Sequence, residues 1–259
     1  MKRIVLSILF LIGLSTQALP QIIESFDTQI DLDSTYQWLV EGPNSRIDYS
    51  VNTTDVKQGT SSADFKFVIG SVHEWGSYGQ LVKRLPADQY FDWQATDSLA
   101  LWIKVITAPA IPVNMVFRIH IADRPTPDAP IEEWVYEHTT ILDATSDWIE
   151  LKIPIKILAT DGSLTPVDSG FVIFPSGWGG GPNNFWNNQE FDWDKIVGYN
   201  ISAITSGYTP GTNLPADSVA VRMDGFRRFG NRSVLPWCST VFSSWATFPV
   251  STGVNRTSK

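Results

Sequence analysis

The stretch Leu99-Ala100-Leu101-Trp102-Ile103-Lys104-Val105 alternates two sets of side chains. Leu99, Leu101, Ile103 and Val105 fall on one side of an extended chain, and Ala100, Trp102 and Lys104 on the other. Successive side chains of a strand point to opposite faces, so this period of two predicts a strand that buries one face. The pattern recurs along the chain. Ala63, Phe65 and Phe67 alternate with Asp64 and Lys66, and Met115, Phe117, Ile119 and Ile121 with Val116, Arg118 and His120. Ile149, Leu151 and Ile153 alternate with Trp148, Glu150 and Lys152; Tyr199, Ile201 and Ala203 follow, then Val219, Val221 and Met223. Helical periodicity is almost absent. Short alternating runs between clusters of Gly, Pro, Asn and Asp predict an all-β chain folded as a sandwich.

Glu41-Gly42-Pro43-Asn44 and Arg124-Pro125-Thr126-Pro127-Asp128 punctuate the strands. Residues 175–188 form a long loop with Gly177, Gly179, Gly180 and Gly181. A loop of that length within a compact domain is more often functional than idle. Residues 231–259 lose the alternation and turn rich in Ser and Thr, with Trp237, Trp245 and Phe248 scattered among them. They read as a tail or linker remnant.

At the other end, Lys2 and Arg3 precede an apolar run over residues 4–14 and the string Ser15-Thr16-Gln17-Ala18. This is the layout of a secretory signal with cleavage after Ala18. The expected organisation is therefore a signal peptide at 1–18, a β-sandwich domain at 19–230 and the tail. The destination is the secreted or extracellular space, with periplasm or cell surface as variants. The apolar run is short for a membrane span and no second one follows, so no membrane insertion is expected.

Without Lys2 and Arg3 the chain carries 17 basic against 27 acidic residues, a net charge of −10. An acidic surface repels phosphate backbones and anionic headgroups, which argues against nucleic acid and membrane surfaces as partners. Neutral glycans are compatible. The single cysteine, Cys238, excludes an intramolecular disulfide framework. The sequence leaves the oligomeric state open.

Catalytic signals are sparse. His73, His120 and His138 show neither the spacing of a helical zinc site nor a Cys/His cluster. Glu190-Phe191-Asp192-Trp193-Asp194-Lys195 resembles the Glu-x-Asp-x-x-Glu string of jelly-roll glycosidases, but Lys195 stands where the second Glu belongs. A retaining mechanism needs two carboxyl groups about 5–5.5 Å apart. Glu190, Asp192 and Asp194 are expected to be turn residues leading into a strand at Ile196, and no catalytic residue is assigned.

The 11 tryptophans are the compositional anomaly. Trp93, Trp102 and Trp148 sit inside strand patterns and are expected to pack structurally. Trp75, Tyr78, Trp178 and Trp186 lie among Gly and Asn and lack such a role. Trp134, Tyr136 and His138 share one face of a strand, as do Arg118 and His120, which suggests a mixed polar and aromatic face. A pyranose offers apolar C–H faces and a hydroxyl rim, so an aromatic plate flanked by donors suits it. The candidate ligand-binding residues are Trp75, Arg118, His120, Trp134, Tyr136, Trp178 and Trp186.

Several segments carry a family resemblance over about residues 22–229. They are Ile23-Glu24-Ser25-Phe26-Asp27, residues 56–65 around Gly59, residues 91–102, Asp147-Trp148-Ile149-Glu150-Leu151-Lys152-Ile153-Pro154, and Val221-Arg222-Met223-Asp224-Gly225-Phe226. Together they resemble the family 11-like, galactose-binding-type carbohydrate-binding modules of secreted glycosidases. The resemblance implies a single jelly-roll-type antiparallel β-sandwich that binds a polysaccharide or oligosaccharide without chemistry of its own. It also implies a structural calcium held by Asp27 and Asp224, since hard oxygen ligands suit that ion and carbonyls near residues 57–59 would complete its shell; no organic cofactor is implied. Two other readings stay open: a structural or adhesive domain that binds protein, and a divergent jelly-roll hydrolase or lyase.

Overall fold

The computed structural model describes residues 20–33, 35–70, 76–111, 114–176, 186–205 and 216–230. The alternating stretches become strands: β4 (Ser62–Ile69), β6 (Ser98–Thr107), β7 (Met115–Asp123), β9 (Ile149–Pro154), β12 (Ile196–Thr205) and β13 (Asp217–Phe229). Seven others join them: β1 (Gln21–Glu24), β2 (Tyr36–Val40), β3 (Arg46–Asn52), β5 (Tyr78–Arg84), β8 (Glu132–His138), β10 (Ile157–Ala159) and β11 (Phe171–Ile173). They form two sheets packed face to face as a β-sandwich. The six-stranded sheet runs β3-β4-β13-β6-β9, with β1 pairing β13 beyond the point where β4 stops. The seven-stranded sheet runs β10-β11-β8-β7-β12-β5-β2. All pairs are antiparallel except β10 with β11, which is parallel. Among the described residues no helix is long and apolar enough to cross a membrane.

The core sits between the sheets and is built from the inward set of each strand. Phe65 and Phe67 of β4, Leu99, Leu101, Ile103 and Val105 of β6, Phe117, Ile119 and Ile121 of β7, and Tyr199 and Ile201 of β12 are all buried. Removing such apolar area from water is the main driving force of the fold. Ile149 departs from its set: it opens β9 and stays exposed, while Leu151 and Ile153 go inside. Of the three tryptophans expected to pack structurally, only Trp93 is fully buried. Trp102 and Trp148 lie half-buried on the outer side of the six-stranded sheet. There Lys57 Nζ stands 4.5 Å over the Trp102 ring, and Trp148 Nε1 donates to Asp55 Oδ1 at 2.8 Å.

Candidate functional site

The outer face of the seven-stranded sheet carries the polar groups that the core cannot take. Alternation puts Gln80, Val82 and Arg84 of β5, Asn200 and Ser202 of β12, Arg118 and His120 of β7, and Glu133, Val135 and Glu137 of β8 on this face. Register then lines them up. Leu39, Gln80, Ser202, Arg118 and Glu137 form one row across five strands; Gln37, Val82, Asn200, His120, Val135 and Val172 form the next. An outer sheet face is ordinarily solvated, yet Gln80, His120, Glu133, Asn200 and Ser202 are all buried.

Glu133 is the hub. Its Oε1 accepts from Arg84 Nη2 at 2.5 Å and Asn200 Nδ2 at 3.2 Å, and its Oε2 meets His120 Nδ1 at 2.8 Å. Arg84 Nη1 also donates to Asn200 Oδ1 at 2.6 Å. Burial alone would raise the Glu133 carboxyl, but the His120 hydrogen bond and the Arg84 charge outweigh it and hold the group at about 2. Burial lowers the His120 pKa, so at neutral pH the imidazole is uncharged and Arg84 supplies the positive partner. In that state Nδ1–H donates to Glu133, and Nε2 has no hydrogen-bond partner among the described residues. Arg118 Nε donates to Glu137 Oε2 at 2.5 Å. The Phe174 ring lies over both side chains, 5.5 Å from the His120 ring in an edge geometry and 5.8 Å from the Arg118 guanidinium.

Among the described residues three polar atoms of this face are buried without a partner: Gln80 Nε2, Arg84 Nε and Ser202 Oγ. Leaving such a group unmade costs about 1–3 kcal/mol, and native structures contain few of them. Their side chains stand on the neighbouring strands β5 and β12, with Ser202 directly opposite Gln80.

This arrangement redistributes the sequence-based site residues. Arg118 and His120 lie on the polar face. Trp134 and Tyr136 do not join them, which corrects the expected shared surface. Register pairs Trp134 with Ile121 and Tyr136 with Ile119, so both rings turn into the core, where they are 0% and 2% exposed. Trp134 Nε1 is satisfied there by Asp123 Oδ2 at 3.0 Å. Trp186 is half-buried against the core, its Nε1 donating to Phe174 O at 2.8 Å and its ring against Gly162, so it braces Phe174 rather than standing free as a plate. Trp75 and Trp178 lie outside the described residues. Arg84, Glu133, Glu137, Asn200, Gln80, Ser202 and Phe174 were not anticipated. Glu133 and Glu137 flank Val135 between the core-facing Trp134 and Tyr136, and that reversed alternation was the available signal. Ahead of β12, Glu190 lies in a bend and Asp194 in the turn that Lys195 N closes on Asp192 O, in keeping with the turn reading.

Asp27 and Asp224 come together on the six-stranded sheet, where the turn at residues 57–61 reaches both. Asp224 Oδ2 accepts from Lys57 N at 2.8 Å and Gln58 N at 2.7 Å, while its buried Oδ1 has no partner among the described residues. Asp27 Oδ1 accepts from Thr60 N at 2.5 Å and Ser61 N at 2.9 Å. Burial first, and the Asp27 charge with it, push the Asp224 carboxyl up, while hydrogen bonds from Gln58 and Lys57 pull the other way. Gly59, at φ 76°, lets the turn close on Asp27: a Cβ there would stand 2.4 Å from Oδ1. An orphaned carboxylate oxygen beside a second carboxylate fits a hard cation. Among the described residues no group of three or more His, Cys, Asp or Glu side chains is arranged to hold a metal, so main-chain oxygens would have to complete the shell.

No protein-family model matches the chain, and no curated protein matches it. Some solved structures resemble it in part, at low identity. One describes the promiscuous specificity of carbohydrate-binding modules from the β-sandwich superfamily, with a TM-score of 0.41 and 8% identity over 74% of this chain and 56% of that one. A second is an exo-β-agarase, with a TM-score of 0.44 and 14% identity over 82% of this chain and 25% of that one. A third holds the CBM22-1 and GH10 modules of a Clostridium thermocellum endo-1,4-β-D-xylanase complexed with xylohexaose, with a TM-score of 0.36 and 8% identity over 85% of this chain and 29% of that one. The chain thus spans 56% of the first and under a third of the other two.

Proposed function

We propose that the outer face of the seven-stranded sheet binds a neutral oligosaccharide or polysaccharide and performs no chemistry on it. The observation that carries this reading is the concentration of hydrogen-bonding side chains on one face, Gln80, Ser202, Asn200 and His120 flanked by the more exposed Arg84 and Arg118, beside the Phe174 ring. A ligand bearing hydroxyls as both donors and acceptors satisfies such groups, and an aromatic roof takes its C–H face. The Arg and Glu charges of the face are paired with one another, which suits an uncharged ligand. The acidic net charge of the chain favours the same class.

Hydrolysis is disfavoured by spacing. Glu133 and Glu137 lie four residues apart on β8, about 13 Å between their Cα atoms at strand rise, against carboxyl separations of about 5–9.5 Å in glycosidases. Both are also committed to arginine partners. The proposal includes secretion, from the N-terminal signal layout, and calcium between Asp27 and Asp224 as a brace remote from the sugar face.

Calorimetric titration against a panel of neutral glycans, with a reducing-end and unsaturated-product assay on the same samples, tests the reading. Saturable binding without product is the expected result. Product release would establish the hydrolase or lyase alternative, and a panel with no binder would favour a protein-binding domain.

A further inference from the structure

Where β7 ends and β8 begins, two acids stand directly opposite each other: Asp123 pairs with Glu132 in the ladder. Side chains so paired share a face, with Cβ atoms about 4.5–5.5 Å apart. Both residues are fully buried, and they point to the core side, away from Glu133 and the sugar face. Each carboxyl group uses one oxygen to hold the same stretch of chain. Asp123 Oδ2 accepts from Asp192 N at 2.8 Å, and Glu132 Oε1 accepts from Asn187 N at 2.5 Å and Gln189 N at 2.9 Å. Each leaves its other oxygen, Asp123 Oδ1 and Glu132 Oε2, buried without a partner among the described residues.

Among the described residues neither acid of the pair forms a salt bridge with a cation. Asp192, an acid, bears on both, and Asp192 is in turn pushed up by Asp194 and Glu190 and pulled down by Lys195. Arg124, next along the chain from Asp123, sends its guanidinium to Ala87 O instead. Two ionised carboxylates opposed in a dry site are unfavourable, and one proton between them removes the conflict. The same described residues present no three-ligand metal cluster.

We propose that Asp123 and Glu132 share one proton, held between Asp123 Oδ1 and Glu132 Oε2, and that this proton latches residues 187–192 onto the end of the seven-stranded sheet. Losing it to solvent leaves two opposed carboxylates, which separate and release the segment. The direction of both pKa values agrees: burial first, then the neighbouring acids, raises Asp123 well above its ordinary value and raises Glu132. For an acid with a raised folded pKa, the latch is strongest at low pH and weakens as pH rises from the unfolded value through the folded one. The segment follows directly on Trp186, which holds Phe174 over His120 and Arg118, so the latch sets the roof of the polar face. The proposal does not rest on the identity of the ligand.

Amide hydrogen exchange of Asn187, Gln189 and Asp192, corrected for intrinsic exchange rates between pH 5 and pH 9, reads the latch directly in the unliganded protein. Protection is expected to fall with rising pH, by up to about tenfold per unit for one coupled proton. Asp123→Asn and Glu132→Gln each replace the proton with a permanent N–H donor, so either folded variant should keep its protection at pH 9. Protection in the wild type that is the same at both ends of the range would overturn the proposal. So would amide variants that lose protection at every pH, or protection at pH 9 restored by calcium, which would make the pair a cation site.

Discussion

At the scale of single residues, Gln80 separates stability from binding. Its Nε2 is buried without a partner, so the folded protein carries an unmet desolvation cost at that atom. Gln80→Leu keeps the volume and removes the orphaned donor. The expected outcome is a melting temperature unchanged or raised, together with weakened binding to the best glycan of the panel. A desolvated anchor contributes about 2 kcal/mol or more, or roughly thirtyfold in affinity. Loss of stability with intact affinity would remove Gln80 from the site. Glu133 behaves oppositely, because Arg84 depends on it inside the protein. Glu133→Gln leaves a buried guanidinium without its counter-ion and should cost about 3–5 kcal/mol in denaturant unfolding. The sign with pH follows from its lowered pKa. The contribution of this carboxylate is fully present above its ordinary value of 4.5 and is lost as pH falls toward about 2.

At the scale of elements, alternation made the strands legible, because period two is a property of the chain itself. Every alternating run quoted from the sequence became a strand, from Ala63 in β4 to Met223 in β13. Which alternate set faces the core was decidable only where the two sets differ in polarity. On β7 they do, and Arg118 and His120 came out on the polar face. On β8, Trp134 and Tyr136 looked like a sugar platform because large aromatics serve cores and binding sites equally well. Only the ladder to Ile119 and Ile121 assigns them inward. Arg84, Asn200 and Ser202 were illegible for a different reason: their roles come from cross-strand neighbours up to 116 positions away along the chain. The junction of β1 and β13 carries the element-scale test. Calcium between Asp27 and Asp224 would neutralise the orphaned Asp224 Oδ1 and tie the first strand to the last. Excess calcium should then raise the melting temperature over a chelator control, and Asp224→Asn should abolish that rise. A wild-type melting temperature indifferent to calcium would dismiss the ion.

For the whole molecule, the two ends of the sandwich are joined by contact rather than by sequence. β1 pairs with the last part of β13 through Gln21 with Arg228 and Ile22 with Arg227, and Arg228 also donates to Gln21 Oε1. The chain closes there, and Gly230 lies so tightly against Ala95 O that a Cβ would overlap it. Residues 231–259, with Trp237, Cys238 and Trp245, lie outside the described residues, and the expectation that they form a tail is open to test. Two truncations therefore have opposite expected outcomes. Ending the chain after Gly230 should leave the melting temperature within about 2 °C, the scale of a sub-kcal/mol change in a domain of this size. Starting it after Glu24 removes β1 and exposes the edge of β13 beside Phe226, a ring packed edge-on against Tyr199 at 5.2 Å. That second truncation should lower stability far more, because an unpaired central strand forfeits its ladder hydrogen bonds and its apolar cover together. Thermal unfolding of the two shortened proteins beside the full chain decides the matter. A large loss from the C-terminal truncation would show that Trp237 or Trp245 completes the core.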